Sequence, residues 1–267
     1  MKQNSIKALS IQIRLSGLSF CILNRSSNTI ELIQHIHLER KATPYELLNE
    51  LKSTIESNSD LQQSFDSMIC IYQNELSCLV PNHLFDEDNM ADYLKFNAKI
   101  LKTDYISFDS LVTVDSSNVY VPLININNYI FETFGSFDYK HASTVMIETL
   151  LQQSPHRAET IFYINVNTTT FEIISIENKQ LVFYNTFEYS SKEDFIYYVL
   201  FTIEQLKLNP ETIKIVLIGK IDTSDALYTI LYKYIRFVEF IKPNYSFDFK
   251  SKLDNTHSDY LLLNSFS

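Results

Sequence analysis

The chain has 267 residues, of which 45% are hydrophobic and 20% are charged. This balance is typical of a globular protein and predicts one large domain or two small ones, each with a substantial core. The formal net charge is −10. A surface of that sign repels phosphate backbones, so nucleic-acid binding is not predicted. No apolar run reaches the about 18 residues of a membrane span, so direct membrane insertion is not expected.

Glycine and cysteine counts narrow the function classes further. The three glycines, Gly17, Gly135 and Gly219, lie far apart, whereas dinucleotide-binding loops and P-loops need closely spaced glycines. Both motifs are therefore excluded. The three cysteines fit neither a disulfide framework nor a paired zinc motif, and we interpret them as core residues in a reducing, cytoplasmic compartment. The start of the chain does not have the pattern of a secretory signal.

The N-terminal part of the chain predicts three antiparallel strands. Hydrophobic residues alternate over Lys7–Leu15 and Thr29–Leu38, and Leu18–Leu23 continues as a strand between two corners. In the third strand, Ile30 and Leu32 are predicted to share the inward face, because alternate residues of a strand point to the same side.

A helix and a fourth strand follow. Thr43, Pro44 and Glu46 match a capping box with proline at the first helical position, so a helix is predicted to begin there. Met68–Tyr72 is then predicted to be a short buried strand. Three strands, a helix and a strand make a mixed sheet, since the helix returns the chain to pair in parallel.

Residues 73–141 are less regular and are predicted to form an inserted subdomain. A helix is predicted over Leu84–Ala98 and strands over Tyr105–Phe108 and Val119–Ile124, the last at a sheet edge because it contains Pro122. Long connections often carry function. We therefore expect contacts with a partner in this segment, around 83–93 and 119–131.

The same order of elements recurs after Ser154-Pro155. The predicted elements are strands at Glu159–Val166, Thr170–Ile176 and Gln180–Tyr189, a helix at Lys192–Lys207 and a strand at Ile213–Ile218. Between the two copies, Ile13 is predicted to be equivalent to Ile164, and Phe20 to Phe171. The prediction is an α/β protein with a duplicated architecture: an N-terminal lobe, 1–153, and a C-terminal lobe, 154–267, each with a five-stranded mixed sheet flanked by helices.

This duplicated order resembles the actin-like ATPase (ribonuclease H-like) fold of actin, the Hsp70 chaperones, sugar kinases and pilus-assembly proteins. The second phosphate loop of Hsp70-like members is apolar, Asp, apolar, three Gly, Thr, Phe, Asp, and Ile164–Glu172 is similar to it with Asn165 at the acid. Ile13–Gly17 resembles the first phosphate loop, which is apolar, Asp, apolar, Gly, Thr, with Arg14 at the position of the Asp. Leu217–Lys220 resembles the adenosine motif. The whole chain looks most like a family of uncharacterised bacterial proteins known as domain of unknown function 3822.

The resemblance implies a cleft whose loops have lost the residues of ATP hydrolysis. Arginine and asparagine do not hold a divalent cation as carboxylates do, and side chains in place of glycines obstruct the approach of the backbone to phosphates. The residues of this degenerate nucleotide cleft are Arg14, Ser16, Gly17, Asn165, Asn167, Thr168, Thr169, Gly219 and Lys220. No catalytic residue, metal or cofactor is predicted.

Two functions remain open on this basis. The first is a non-catalytic scaffold that binds another protein and binds ATP at most weakly. The alternative is a divergent ATP-binding protein, ATPase or kinase of the actin-like superfamily with unusual loop residues. His35 and His37 share a strand face, as the ligands of a transition metal sometimes do, but no third donor is evident and a polar stripe is favoured.

Overall fold

The structure is a computed structural model that describes residues 5–96, 98–156, 158–251 and 257–266. These residues form fourteen strands and seven α-helices. The strands are β1 (Lys7–Arg14), β2 (Gly17–Asn24), β3 (Thr29–His37), β4 (Ser67–Tyr72), β5 (Ser77–Pro81), β6 (Ser107–Leu111), β7 (Ser116–Tyr120), β8 (Asp138–His141), β9 (Ile161–Val166), β10 (Thr170–Glu177), β11 (Gln180–Glu188), β12 (Lys214–Gly219), β13 (Phe237–Phe240) and β14 (Asp248–Phe249). The helices are α1 (Pro44–Ser57), α2 (Met90–Lys95), α3 (Ile124–Phe134), α4 (Ala142–Gln153), α5 (Lys192–Gln205), α6 (Ala226–Tyr234) and α7 (Tyr260–Asn264). Each of these helices is too short or too polar to cross a membrane.

The described residues form two compact units. The first contains residues 5–146, 245–251 and 262–266, and the second contains 147–244 and 257–261. The sequence assigned all of 154–267 to one lobe, whereas part of this C-terminal tail packs with the first unit.

The main sheet of the first unit has the strand order β14-β3-β2-β1-β4-β8. β1, β2 and β3 are antiparallel neighbours, and β4 returns parallel to β1 after α1, which is the predicted order. α1 begins at the predicted capping box: the Thr43 hydroxyl accepts from the Glu46 backbone N–H, and the Glu46 carboxylate accepts from the Thr43 N–H. Leu47 and Leu51 of α1 pack into the core over this sheet.

A β-bulge in β3 changes which of its residues point to the same face of the sheet. The pairing of β2 with β3 shifts between Ile22 and Leu23. Leu32 therefore packs in the cluster under α1, while Ile30 packs on the opposite face of the sheet. The prediction that Ile30 and Leu32 share a face was wrong, because one extra residue reverses the alternation along a strand.

The C-terminal tail supplies a sixth strand that the sequence did not predict. β14 pairs in parallel with the outer edge of β3, so this sheet has six strands rather than the predicted five. Tyr245, Phe247 and Phe249 form an aromatic cluster that packs against Ile30 and its buried neighbours. These three aromatic rings account for the position of the tail in the first unit, because they bury apolar surface there.

The inserted subdomain is a three-stranded antiparallel sheet, β5-β7-β6, with α2 packed against it. The predicted edge strand at 119–124 was wrong: β7 ends at Tyr120, before Pro122, and lies in the centre of the sheet. The predicted helix over 84–98 is also shorter than expected, since 3₁₀ turns precede α2. β8 returns the chain to the main sheet of the first unit beside β4.

The second unit has a five-stranded sheet in the order β11-β10-β9-β12-β13. β9, β10 and β11 are antiparallel neighbours, and β12 and β13 run parallel to β9. α5 and α6 cover one face of this sheet, where the rings of Phe171 and Phe195 have their centroids 4.7 Å apart. The mixed α/β fold is thus present in both units.

Candidate functional site

A carboxylate lies beneath the turn between β9 and β10. The side-chain amides of Asn165 and Asn167 both donate to the same oxygen, Oε2 of Glu172, at 2.7 and 3.2 Å. Asn165 and Glu172 are register partners, and both are buried. The sequence analysis assigned no role to Glu172; the signal that could have identified it is an acid placed directly between the apolar residues Phe171 and Ile173. An acid is costly to bury unless it is hydrogen-bonded, and the two amides supply those bonds.

The tip of this turn is closed by its own hydrogen bonds. Thr168 and Thr169 are exposed at the tip. Below them, the Asn167 N–H donates to the Thr170 carbonyl at 2.9 Å, and the Tyr189 hydroxyl donates to the Asn167 carbonyl at 2.6 Å. The turn is therefore a tight two-residue hairpin connection.

Gly219 and Lys220 lie directly beside this turn, at the end of β12. The Lys220 N–H donates to the Val166 carbonyl at 2.7 Å, and the Gly219 N–H donates to the His257 carbonyl at 3.0 Å. Gly219 has φ +85°, and a Cβ there would lie 2.4 Å from the Val166 oxygen and 2.6 Å from Asn165 Oδ1. Glycine is needed at this position because the two backbones approach closely.

In the first unit, Arg14 and Ser16 lie at the turn between β1 and β2. The Arg14 Nη2 donates to the Ser19 hydroxyl at 2.9 Å, and that hydroxyl lies 3.0 Å from Nδ1 of His35. The Ser16 carbonyl accepts from the Leu38 N–H at 3.0 Å. Arg14 thus contributes to a polar network on the strand surface.

Gly17 is closely opposed by the next strand. It pairs with His37 of β3 and has φ +145°; a Cβ there would lie 2.0 Å from the Ile36 carbonyl oxygen. His37 also stacks on His35, with ring centroids 6.1 Å apart. The residues that the structure describes contain no group of three or more His, Cys, Asp or Glu side chains positioned to hold a metal ion.

The two turns correspond to each other in register, and this changes the residue of the first hairpin that is aligned with Asn165. Asn165 pairs with Glu172 as Gln12 pairs with Ser19, each pair being the same distance from its turn. The position equivalent to Asn165 is therefore Gln12, whose amide donates to the Gln73 side chain at 2.6 Å, and not Arg14.

The predicted equivalence of individual strand residues is shifted by two. Ile13 corresponds to Val166 rather than Ile164, and Phe20 corresponds to Ile173 rather than Phe171. The β-bulges agree with this assignment. The pairing of β2 with β3 shifts after Ile22, the pairing of β10 with β11 shifts after Ser175, and these two residues are equivalent in the shifted alignment. The sequence comparison aligned the motif residues without using the length of the turns, and the register of the two hairpins favours the shifted alignment.

The predicted cleft residues fall into two sets, one in each unit. The first set is Arg14, Ser16 and Gly17, and the second is Asn165, Asn167, Thr168, Thr169, Gly219 and Lys220. Within the second set, the turn after β9 and the end of β12 are in contact. The convergence of the two sets in one cleft stays a prediction.

A second polar cluster lies in the interior of the first unit, at the start of α4. His141 Nδ1 lies 2.7 Å from the Ser143 hydroxyl, and its Nε2 lies 3.1 Å from the Asn74 carbonyl. Asp109 accepts from the His141 backbone N–H at 2.7 Å and from the Thr144 hydroxyl at 2.6 Å. His141 and Ser143 are buried, so this serine–histidine pair stabilises the helix start and is not accessible to a substrate. Burial lowers the pKa of His141 to about 4 and raises the pKa of Asp109.

The family model for DUF3822, described as a protein of unknown function, matches residues 1–238. The chain belongs to this family. No curated protein matches the DUF3822 protein.

Solved structures show the fold of the DUF3822 protein. A protein of unknown function with an actin-like ATPase fold from Bacteroides thetaiotaomicron is 22% identical and superposes with a TM-score of 0.79, covering 89% of this chain and 91% of that one. PilM in the PilM–PilN type IV pilus biogenesis complex is 12% identical, with a TM-score of 0.53 and coverage of 91% and 90%. The family resemblance and the actin-like fold predicted from the sequence are therefore confirmed.

Proposed function

We propose that the DUF3822 protein is a non-catalytic scaffold that binds another protein and whose nucleotide loops are degenerate. The observation that carries this proposal is the closure of the loops in the second unit. The backbone N–H groups of Gly219 and Lys220 are both bonded to carbonyls of the protein. Backbone N–H groups are the donors with which loops usually hold phosphates, and here they are already engaged.

The inserted subdomain supplies the surface for a protein partner in this proposal. Phe96 is 90% exposed and Val112 is 82% exposed, and Leu84 and Leu101 are also largely exposed. Exposed apolar side chains on a segment inserted into a fold favour protein binding over a purely structural role. Of the second predicted contact segment, residues 119–122 are buried, so its accessible part is limited to the half-buried Leu123 and to α3.

Charge indicates the chemistry of the partner. Asp86, Glu87 and Asp88 precede α2 and are all exposed and close in sequence to the apolar side chains, whereas Asp92 within α2 is paired with Lys95. An acidic surface with exposed apolar groups is complementary to a positively charged amphipathic segment. PilM, a protein of this fold, is found in a complex with PilN, which is compatible with a protein-binding role.

Two further parts of the proposal concern origin and compartment. The equal turn lengths and equal bulge positions of the two hairpins support an internal duplication. The cytoplasmic location remains part of the proposal: Cys21, Cys70 and Cys78 form no disulfide with one another, and disulfides are rare in that compartment.

The partner surface is tested by charge reversal. We expect Glu87→Lys/Asp88→Lys combined with Phe96→Ser to remove the proteins that co-purify with the wild type from its native host, because both the acidic and the apolar groups are lost. The matched control is Glu56→Lys/Asp60→Lys, which changes the net charge equally on an exposed surface of α1 and its following turn. Quantitative mass spectrometry of the purified fractions gives the measurement, and circular dichroism checks folding. If all partners are retained by the first variant, the inserted subdomain is not the docking surface.

One observation favours the alternative of a divergent ATP-binding protein. Glu172 is a carboxylate held by Asn165 and Asn167 beside the end of β12. Phosphate hydrolysis requires a metal ion to neutralise charge and a polar group to position water, and a carboxylate is the usual protein ligand of Mg²⁺. The alternative therefore places Glu172 rather than Arg14 at the centre of the chemistry.

Titration with Mg-ATP distinguishes the two functions. For a scaffold with closed loops, we expect no ATP turnover above background and an affinity no better than about 1 mM, equivalent to about 4 kcal/mol of binding. A thermal shift measures the affinity, since a ligand that binds only the folded state raises the melting temperature. Asn165→Ala should leave partner binding intact. ATP hydrolysis by the wild type that is abolished in both Asn165→Ala and Glu172→Gln would establish the enzyme instead.

A further inference from the structure

The outer surface of the α5–α6 layer carries exposed aromatic side chains. Tyr197 is 60% exposed and Phe201 is 42% exposed, and their rings stack at 5.9 Å on the solvent side of α5. Tyr232 of α6 is likewise 60% exposed. These rings do not belong to the core beneath the helices, which is formed by residues such as Phe195 and Val199 on the other side of α5.

α5 and α6 run in the same direction and pack against each other. α5 connects β11 to β12, and α6 connects β12 to β13, and these three strands are parallel in the sheet. Each helix therefore runs back against the strand direction, so both begin at one end of the sheet and end at the other. The two helices form a single two-helix surface, which we name the α5–α6 face.

Charge on α6 is distributed unequally along this direction. Asp222 and Asp225 lie just before its first residue, while Lys233 and Arg236 lie at and just after its end. Lys233 and Arg236 are exposed. The acidic end and the basic end of the helix therefore lie on either side of its middle residue, Ile230.

This arrangement is self-complementary under a two-fold axis. An axis in the plane of the α5–α6 face and perpendicular to the helices places each helix antiparallel to the same helix of a second copy, because a two-fold interface brings the same patch of both subunits together. Tyr197 and Phe201 lie on either side of the middle of α5. The axis therefore places Tyr197 of each copy against Phe201 of the other. The acidic start of α6 then faces the basic end of α6 in the second copy.

We propose that the DUF3822 protein forms a two-fold symmetric homodimer through the α5–α6 face. The occupant of this face is a second copy of the chain. The two-fold axis brings the aromatic pairs of the two copies together and brings the acidic start of each α6 to the basic end of the other. Antiparallel helices also bring helix ends of opposite partial charge together. On α5 the acidic Glu204 faces the start of the second copy's helix, where Asp194 is bonded to the backbone N–H groups of Ser190 and Ser191, so the attraction comes mainly from α6.

The dimer is tested on the full chain by sedimentation equilibrium. An interface of two short helices is at the small end of specific interfaces, so dissociation is expected between about 1 µM and about 1 mM. Raising the salt from about 0.05 M to about 0.5 M should weaken the dimer, because the α6 ends are exposed charges. A wild type that remains monomeric over this concentration range at low salt would overturn the proposal.

Paired variants locate the interface. Tyr197→Ser/Phe201→Ser should raise the dissociation constant at least about tenfold. The control Tyr45→Ser/Phe131→Ser removes rings outside the α5–α6 face that are at least as exposed, and it should leave the dissociation constant unchanged. A dimer that survives the first pair uses another surface, which contradicts the proposal.

Charge exchange tests the antiparallel orientation. Lys233→Glu/Arg236→Glu should be monomeric, because both ends of α6 become acidic, and Asp222→Lys/Asp225→Lys should be monomeric for the opposite reason. Mixing the two variants should restore a one-to-one dimer. Failure of the mixture to associate, with both variants folded by circular dichroism, would contradict the antiparallel arrangement. In the wild type both aspartates accept hydrogen bonds from backbone N–H groups, and the second variant loses these bonds. If that variant does not fold for this reason, self-association of Lys233→Glu/Arg236→Glu at wild-type affinity contradicts the antiparallel arrangement.

Discussion

Replacement of Gly17 by alanine is expected to lower the free energy of unfolding by more than about 3 kcal/mol. A Cβ at this position would lie 2.0 Å from the Ile36 carbonyl oxygen, and φ is +145°. The oxygen belongs to the backbone of β3, which is paired with β2 along its whole length. Relief of the collision therefore requires the two strands to separate at this turn, which breaks backbone hydrogen bonds rather than moving a flexible side chain.

The matched control is Gly135→Ala. Gly135 also has a positive φ, +88°, but a Cβ there would have no atom within 4 Å. Its replacement should cost only the backbone strain, about 1–3 kcal/mol, so the difference between the two variants isolates the collision. Urea denaturation followed by circular dichroism gives both values. Equal losses in the two variants would show that β2 and β3 do not approach each other as closely as described.

The result also concerns function. Gly17 occupies the end of a loop that resembles a phosphate loop, where a glycine usually allows the backbone to approach phosphate. Here the space that its missing side chain would fill is taken by β3. The conformation of Gly17 is thus explained by strand pairing, without any ligand.

The second large effect is a loss of stability in acid that depends on His141. The pKa of His141 is lowered to about 4 in the folded protein by burial, compared with 6.5 for a free histidine. Between these two values the unfolded chain binds a proton that the folded chain does not. The free energy of unfolding should therefore fall as the pH is lowered from about 6.5 to about 4, by about 3 kcal/mol in total.

The neighbouring acid, Asp109, has the opposite effect on the pH dependence of stability, so the contribution of His141 has to be measured with a variant of that histidine. Burial raises the pKa of Asp109, so the folded protein retains a proton there at pH values where the unfolded chain has released it, and acidification through that pKa restores stability. Urea unfolding at pH 7, 5.5 and 4.5 should show a loss for the wild type that is absent in His141→Gln. His156→Gln, at an exposed position, is the control that should follow the wild type. Parallel pH curves for the wild type and His141→Gln would contradict the burial of a neutral imidazole.

The sequence determined those features that depend on local pattern and on counts. Alternating hydrophobic residues predicted β1 and β3, and the short apolar run Leu18–Leu23 between two corners predicted β2. The spacing of Thr43 and Glu46 predicted the start of α1, because strand faces and helix caps are set by neighbours in the chain. The recurrence of the same element order predicted the actin-like fold. The count of three glycines excluded a P-loop without any knowledge of the fold.

Features that depend on residues distant in the chain were decided by the tertiary structure alone. The role of Glu172 depends on amides across the hairpin, and the assignment of Gln12 rather than Arg14 depends on the length of a turn and the register that it imposes. Pro122 suggested an edge strand, but the strand ends before it and lies between two others.

The tail gives the clearest case. The sequence analysis predicted no strand over residues 245–249, yet β14 completes the edge of β3, which is more than two hundred residues earlier in the chain. Tyr245, Phe247 and Phe249 alternate with polar residues as in a strand, but the sequence does not show which sheet edge such a short segment would join. The segment is ordered because an open sheet edge and an uncovered apolar face were available to it, and both are properties of the folded first unit rather than of the local sequence.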